Sequence, residues 1–208
     1  MTIQVASKGE QTRQRLMDIT QSAVLEKGFG ATSIEEIITE AGITKSGFFY
    51  HFKDKNDLAK ALVERYVNDE VAVTEELFAQ ADGLSEDPLH SFLIFLKLLA
   101  DKLRDLPNGH PGCIVASCCY QEQLFSQDVR DLCTGSHFTW RRVMRERLER
   151  IAAKYPPKVE VDFDALADMF SALVDGGIIL SRSLKNPEML AQQVMLYRGF
   201  VKTVFAGT

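Results

Sequence analysis

Residues 33–55 read SIEEIITEAGITKSGFFYHFKDK, two short helical patterns joined by a tight turn. Ser33 and Glu36 have the capping-box spacing that opens a helix. Ile34, Ile37 and Ile38 recur at helical spacing and give that helix one apolar face. The pattern stops at Ala41-Gly42, where glycine accepts the left-handed conformation that ends a helix. Thr44 has the chemistry of an N-cap for a second helix over Lys45 to about His51. Helix, short turn and helix make a helix-turn-helix unit, although the pattern also fits an ordinary helical hairpin.

The second helix carries the information. Phe49 and Phe52 are expected to anchor it to the first. Its leading residues, Thr44, Lys45, Ser46 and Gly47, are small, hydroxylated or basic, which suits entry into a DNA major groove. Tyr50 and His51 follow one turn later and suit donation to phosphate oxygens. Lys53 and Lys55 add positive charge where the next helix begins.

The run ITKSGFFYHFKDKNDL, residues 43–58, resembles the signature of the tetracycline-repressor (TetR) family of one-component transcription regulators. The glycine after the polar run, the Tyr50-His51-Phe52 triplet, Lys55 and Leu58 stand where that signature wants them. Upstream, Arg13 to Gly28 with Phe29, and Thr32 to Ile37, resemble the family's first helix and the start of its second. The resemblance is specific over roughly the first sixty residues; beyond them only length and helix order agree. Phe48 departs from it, since the family more often has a small or hydroxylated residue there. No base or phosphate role is therefore carried over to Phe48.

The resemblance implies a DNA-contacting set of Arg13, Thr32, Ser33, Thr44, Lys45, Ser46, Gly47, Tyr50, His51 and Lys55. It implies a homodimer on operator DNA, more often a repressor than an activator, released by an unknown small organic effector. Two readings stay beside it. One is a DNA-binding or protein-partner module without small-molecule response. The other is a cysteine-based redox or electrophile sensor. An enzyme would need a nucleophile–base pair or metal constellation, and only Cys113 with His110 comes near one. No cofactor is expected.

The chain has 208 residues and a formal net charge of −5. Residues 1–60 hold eight Lys/Arg and eight Asp/Glu, so the whole excess of negative charge lies beyond them. DNA affinity then needs a local basic surface from Arg13, Lys45, Lys53 and Lys55, with clear salt dependence. No apolar run is long enough to span a membrane, and MTIQVASKGEQ lacks a secretory pattern, so a cytoplasmic location is expected.

Expected domains are a DNA-binding head over residues 1–54 and an effector-binding and dimerisation body over 55–208. The first dozen residues are polar and expected to be mobile. Leu16, Ile19, Ala23 and Val24 mark an amphipathic first helix ending at Gly28. Asp54-Lys-Asn-Asp57 opens a long helix to about Gln80, stiff enough to carry a displacement out of the head. Asp87-Pro88 starts the next. Pro107 to Gly112 is a break. Helices then run from Cys113 to about Phe125, Asp128 to Tyr155, Asp162 to Leu184, and from Asn186-Pro187 to Phe205. About nine helices and no strand alternation make an all-α protein.

The helix around Phe163–Leu184 is apolar nearly all round, so it is buried on more than one side. Gly176-Gly177 in its middle would be justified by close approach to another helix. A dimer interface of Phe170, Leu173, Gly176, Gly177, Leu180, Val194, Tyr197 and Val201 follows, with burial inside one chain as the alternative. For an effector pocket the candidates are Phe92, Leu96, Cys119, Tyr120, Phe125, His137, Trp140 and Phe170. Aromatics at helical spacing equally describe a plain core.

Cys113, Cys118, Cys119 and Cys133 lack metal-ligand spacing, and no metal is expected. They read as small buried hydrophobes, pocket residues or redox sensors, with Cys113 favoured as sensor by its place at a helix start. The arginines at 141, 142, 145, 147 and 150 alternate with Glu146 and Glu149 and read as a salt-bridged solvent face.

Overall fold

A computed structural model describes residues 7–206. In chain order the helices are α1 (Lys8–Lys27), α2 (Ile34–Ala41), α3 (Lys45–His51), α4 (Lys55–Leu84) and α5 (Pro88–Arg104). They continue with α6 (Ile114–Cys119), a 3-10 turn (Glu122–Leu124), α7 (Gln127–Lys154), α8 (Phe163–Ser183) and α9 (Glu188–Ala206). The fold is all-α. Among the described residues no helix is long and apolar enough to cross a membrane.

The chain divides into two compact units, 1–68 with 113–135, and 69–112 with 136–208. The unit that holds the helix-turn-helix thus extends past residue 54 and takes in α6 and the start of α7.

In that first unit each short helix begins on a side-chain cap. Ser33 Oγ accepts from the Glu36 N–H at 3.1 Å, and Thr44 Oγ1 accepts from the Gly47 N–H at 3.2 Å. Gly42 adopts φ 64°, ψ 35°, the left-handed cap that reverses the chain between α2 and α3. α1 starts earlier than expected: Ser7 caps it, accepting from the Glu10 N–H at 3.2 Å. Polar residues suffice there because Gln14 bonds to Glu10 one turn away at 2.7 Å. The mobility expected of residues 1–6 lies outside the described residues. α4 is opened by two mutually capping aspartates, with Asp57 N–H on Asp54 Oδ1 and Lys53 N–H on Asp57 Oδ2, both at 2.9 Å.

The core of this unit joins Leu16, Met17, Phe29, Ile37, Phe48, Phe52 and Leu58 to Ile114, Phe125 and Val129. Segment 113–125 is not one helix. It breaks after Cys119 because Gln121 and Phe125 are turned onto the α1–α2 connection, where the Phe29 and Phe125 rings lie 4.4 Å apart.

The second unit is built on α5, α8 and α9. Tyr197 on α9 has no exposed surface, and its hydroxyl donates to the Leu166 carbonyl at 3.0 Å. α4 continues through Gly83, past the end expected near Gln80, because Asp82 is held in helix by Arg147 at 2.8 Å. The arginine run of α7 is salt-bridged as expected: Arg141 grips Asp168 with two bonds of 2.7 and 2.6 Å, and Arg145 bridges Glu149 and Asp164 at 2.8 Å each.

The dimer set requires correction. Phe170, Val194, Tyr197 and Val201 are 5%, 1%, 0% and 0% exposed, inside their own chain's core. Gly177 serves the close approach of α9 from the same chain: a Cβ there would meet Leu190 Cδ1 at 2.8 Å and Leu190 Cα at 3.0 Å. Gly176, beside it, has open space, and Leu180 is 39% exposed. Apolar residues on two sides of α8 therefore divide into one side for α9 and one left outward.

Candidate nucleic-acid interface

α3 is held by Phe48 and Phe52, which are 0% and 1% exposed, with rings 5.9 Å apart. Phe49, expected as an anchor, is 46% exposed; the anchor is its neighbour. With Phe48 turned inward, Thr44, Lys45, Ser46 and Tyr50 are exposed, Tyr50 at 82%. Gly47 is partly covered, and no bulky side chain stands at the leading turn. The face of α3 that meets solvent therefore carries two hydroxyls, one ammonium and a phenol on a rigid support, the groups that pair with base edges and phosphates.

The flanking residues are less uniform. Ser33 spends its hydroxyl on the α2 cap, as Thr44 does on α3, though both stay exposed. Arg13 lays its guanidinium 4.9 Å from the centre of the Phe52 ring, at the edge of this face. Lys45 pairs with Glu35 at 3.4 Å, both well exposed, so a competing phosphate displaces little. His51 is half-buried, its ring 5.0 Å from that of Tyr50.

Two residues of the expected set face inward. Thr32 is 1% exposed and donates its hydroxyl to the Gly28 carbonyl at 3.0 Å. It shapes the α1–α2 turn and cannot offer its side chain to DNA. Lys55 donates to the Phe29 carbonyl at 2.6 Å and sits 4.1 Å above that ring, and burial lowers its pKa. It too is a clamp on the turn.

Sequence reasoning missed Arg65, Gln121 and Asn56. Arg65 fastens α4 to α1 through Gln14, Asp18 and Gln21, at 3.2, 2.6 and 2.8 Å. Gln121 Oε1 accepts from the Gly30 N–H at 3.1 Å, and Asn56 Oδ1 accepts from the Ser126 N–H at 2.9 Å. The signal for Gln121 was the glycine pair at 28 and 30: a Cβ on Gly28 would lie 3.0 Å from Gln121 Nε2.

The eight pocket candidates do not share one cavity. Phe92, Leu96 and Phe170 fill the core of the second unit, where Trp140 is half-buried and His137 exposed. Tyr120 is 77% exposed in the first unit. Cys119 and Phe125 do line a cavity there, of about 80 Å³, with Cys118, Arg130 and Cys133.

Residues 22–62 match the family model for bacterial regulatory proteins of the tetR family. The transcriptional regulator AcuR of Cereibacter sphaeroides is 26% identical over 165 residues, 79% of this chain and 74% of its own. The HTH-type regulator YxaF of Bacillus subtilis is 25% identical over 195 residues, 91% and 96% of the two chains. A TetR-family regulator from Agrobacterium tumefaciens has the same fold, with a TM-score of 0.77 at 19% identity over 95% of this chain and all of its own. A TetR regulatory protein from Rhodobacter sphaeroides gives 0.75 at 23% identity, over 90% and 97%. Buried Phe48 and Phe52, the capped turn at Gly42 and the outward face of α3 are thus set in a sequence and a fold that agree: the chain belongs to the TetR family of transcriptional regulators, with a helix-turn-helix that binds DNA.

Proposed function

We propose that this regulator is a cytoplasmic repressor that binds a near-palindromic operator as a homodimer and leaves it when a small organic effector binds. The observation that carries the reading is the division of α3: Phe48 and Phe52 fix it from behind while Thr44, Lys45, Ser46 and Tyr50 are exposed in front. A single recognition helix reads only a few base pairs. Two related by a dyad read half-sites about one helical turn apart.

The dimer is supported by an outward stripe on the second unit. Met169, Gly176 and Leu180 fall on one side of α8, with Leu184 at its C-cap and Leu173 at the border of the core, and Leu196 and Phe200 fall on one side of α9. Leu184 is 59% exposed, Leu196 65% and Phe200 42%, more apolar surface than a solvent-facing helix pair normally shows. These residues replace the buried ones of the sequence reading. Residues 1–54 serve as the DNA-contacting part and 55–208 as the effector and dimer part.

The test begins with duplexes selected in vitro by the purified chain. The combined Lys45→Ala, Ser46→Ala and Tyr50→Ala change is expected to abolish selective mobility shifts while circular dichroism is unchanged; retained selectivity refutes the reading. Sedimentation is expected to give about twice 23.4 kDa, and Leu196→Glu with Phe200→Glu to return a folded monomer. Candidate metabolites are then screened for release of the shifted band.

A further inference from the structure

In the same unit as the helix-turn-helix, Cys118 stands one residue before the end of α6 and Cys133 in the second turn of α7, both buried, at 5% and 4% exposure. Both line the cavity of about 80 Å³, which opens beside Cys119 and Arg130. The two thiols lie close enough to share a hydrogen bond. That bond holds Cys118 protonated and favours the thiolate at Cys133, while burial opposes it there.

We propose that Cys118 and Cys133 form an oxidisable dithiol that takes hydroperoxides, and that closing it as a disulfide loosens the α1–α2 turn of the DNA-binding unit. The cavity has room for a molecule a little larger than water, such as hydrogen peroxide, beside both cysteines.

The Cys133 thiolate attacks one peroxide oxygen. The S–O bond forms as the O–O bond breaks, and the departing hydroxide takes a proton and leaves as water. Cys133 is then a sulfenic acid. The Cys118 sulfur attacks that sulfur, the S–S bond forms, the S–O bond breaks, and the Cys118 proton leaves with the hydroxide as a second water. Two thiols have given two electrons to one peroxide.

The output follows from what is attached. A disulfide needs sulfurs about 2 Å apart, so the end of α6 must be drawn toward α7. The residues that follow are those that hold the turn: Gln121 on the Gly30 N–H at 3.1 Å, and Phe125 against Phe29 at 4.4 Å. Cys113, by contrast, uses its sulfur as the cap of α6, accepting from the Ala116 N–H at 3.3 Å. The regulatory sense of the switch rests on the DNA-binding reading; its chemistry does not.

Peptide mapping of the full chain after excess hydrogen peroxide is expected to find a Cys118–Cys133 disulfide, with two hydrogens lost in intact mass. Cys113→Ser combined with Cys119→Ser keeps it. Cys118→Ser stops at a sulfenic acid on Cys133 that dimedone traps. Amide exchange at Gly30 and Thr32 is expected to quicken about tenfold on oxidation and to recover with dithiothreitol. Thiols that stay reduced, or a bridge through Cys113 or Cys119, overturn the pair. A Cys118–Cys133 disulfide with unchanged exchange at Gly30 overturns the switch. None of these measurements uses DNA, so their failure is separate from a failure of the operator reading.

Discussion

Phe48 and Phe49 are chain neighbours whose rings meet edge-on, 5.4 Å apart, yet Phe48 is fully buried and Phe49 is 46% exposed. One residue of register decides which face of α3 is offered to solvent. Phe48→Ala is expected to destabilise the chain by about 3–5 kcal/mol, as truncation of a buried aromatic does. Phe49→Ala is expected to change stability by less than about 1 kcal/mol. Urea unfolding of the two variants checks the register; equal losses contradict it.

Lys45 and Lys55 separate binding from folding. Lys45→Ala is expected to lower the slope of log affinity against log salt by about one, since one phosphate contact goes. Lys55→Ala is expected to leave that slope and instead lose about 1–3 kcal/mol of stability, because the Phe29 carbonyl loses its charged donor. A salt titration on one selected duplex, with unfolding curves for each variant, reads both.

Gly176 and Gly177 make an internal control. Gly177→Ala places a methyl against Leu190, backbone included, and is expected to cost about 1–3 kcal/mol. Gly176→Ala meets nothing within 4 Å and is expected to stabilise by about 0.5–1 kcal/mol in the Leu196→Glu, Phe200→Glu background. In the otherwise native chain the same change is expected to weaken association, visible by sedimentation on dilution.

Asp87 supplies a pH dependence. It caps α5 by accepting from the Leu89 and His90 N–H groups at 3.1 and 2.9 Å, and it takes bonds from Lys154 at 2.7 Å and Tyr155 at 2.6 Å. The Lys154 bond above all, then that of Tyr155, holds its carboxyl below the ordinary aspartate value. A folded-state pKa depressed in this way gives stability that is complete above the unfolded value, about 3.9, and is lost as pH falls further. Asp87→Ala is expected to cost about 1–2 kcal/mol at neutral pH through the lost cap. The loss is expected to shrink as pH falls below about 3.9, where the unfolded chain's carboxyl takes up its proton while the native one stays ionised. Thermal unfolding at pH 7 and at pH 3 compares them.

The local signals were readable from the chain alone. Ser33, Gly42, Thr44, Asp87 and Asp162 cap or end helices through atoms within a few residues, so their spacing suffices. α3 is too short for seven residues to fix which aromatic faces inward, and there periodicity placed Phe49 where Phe48 belongs. Lys55 and Gln121 reach the α1–α2 turn from 26 and 91 residues away, distances that no local pattern encodes, whereas Thr32 bonds to Gly28 only four residues back, inside a turn that has no helical period to mark it. The two-sided apolar character of α8 was legible. Which side belonged to α9 depended on a single approach, Leu190 over Gly177.

α9 keeps its duties apart. Tyr197, Val201 and Val204 belong to the core, whereas Leu196 and Phe200 lie outside it. In the proposed dimer, mutational drift at the second pair would retune which copies associate, and keep paralogous regulators from mixing subunits, without eroding the fold that each inherits.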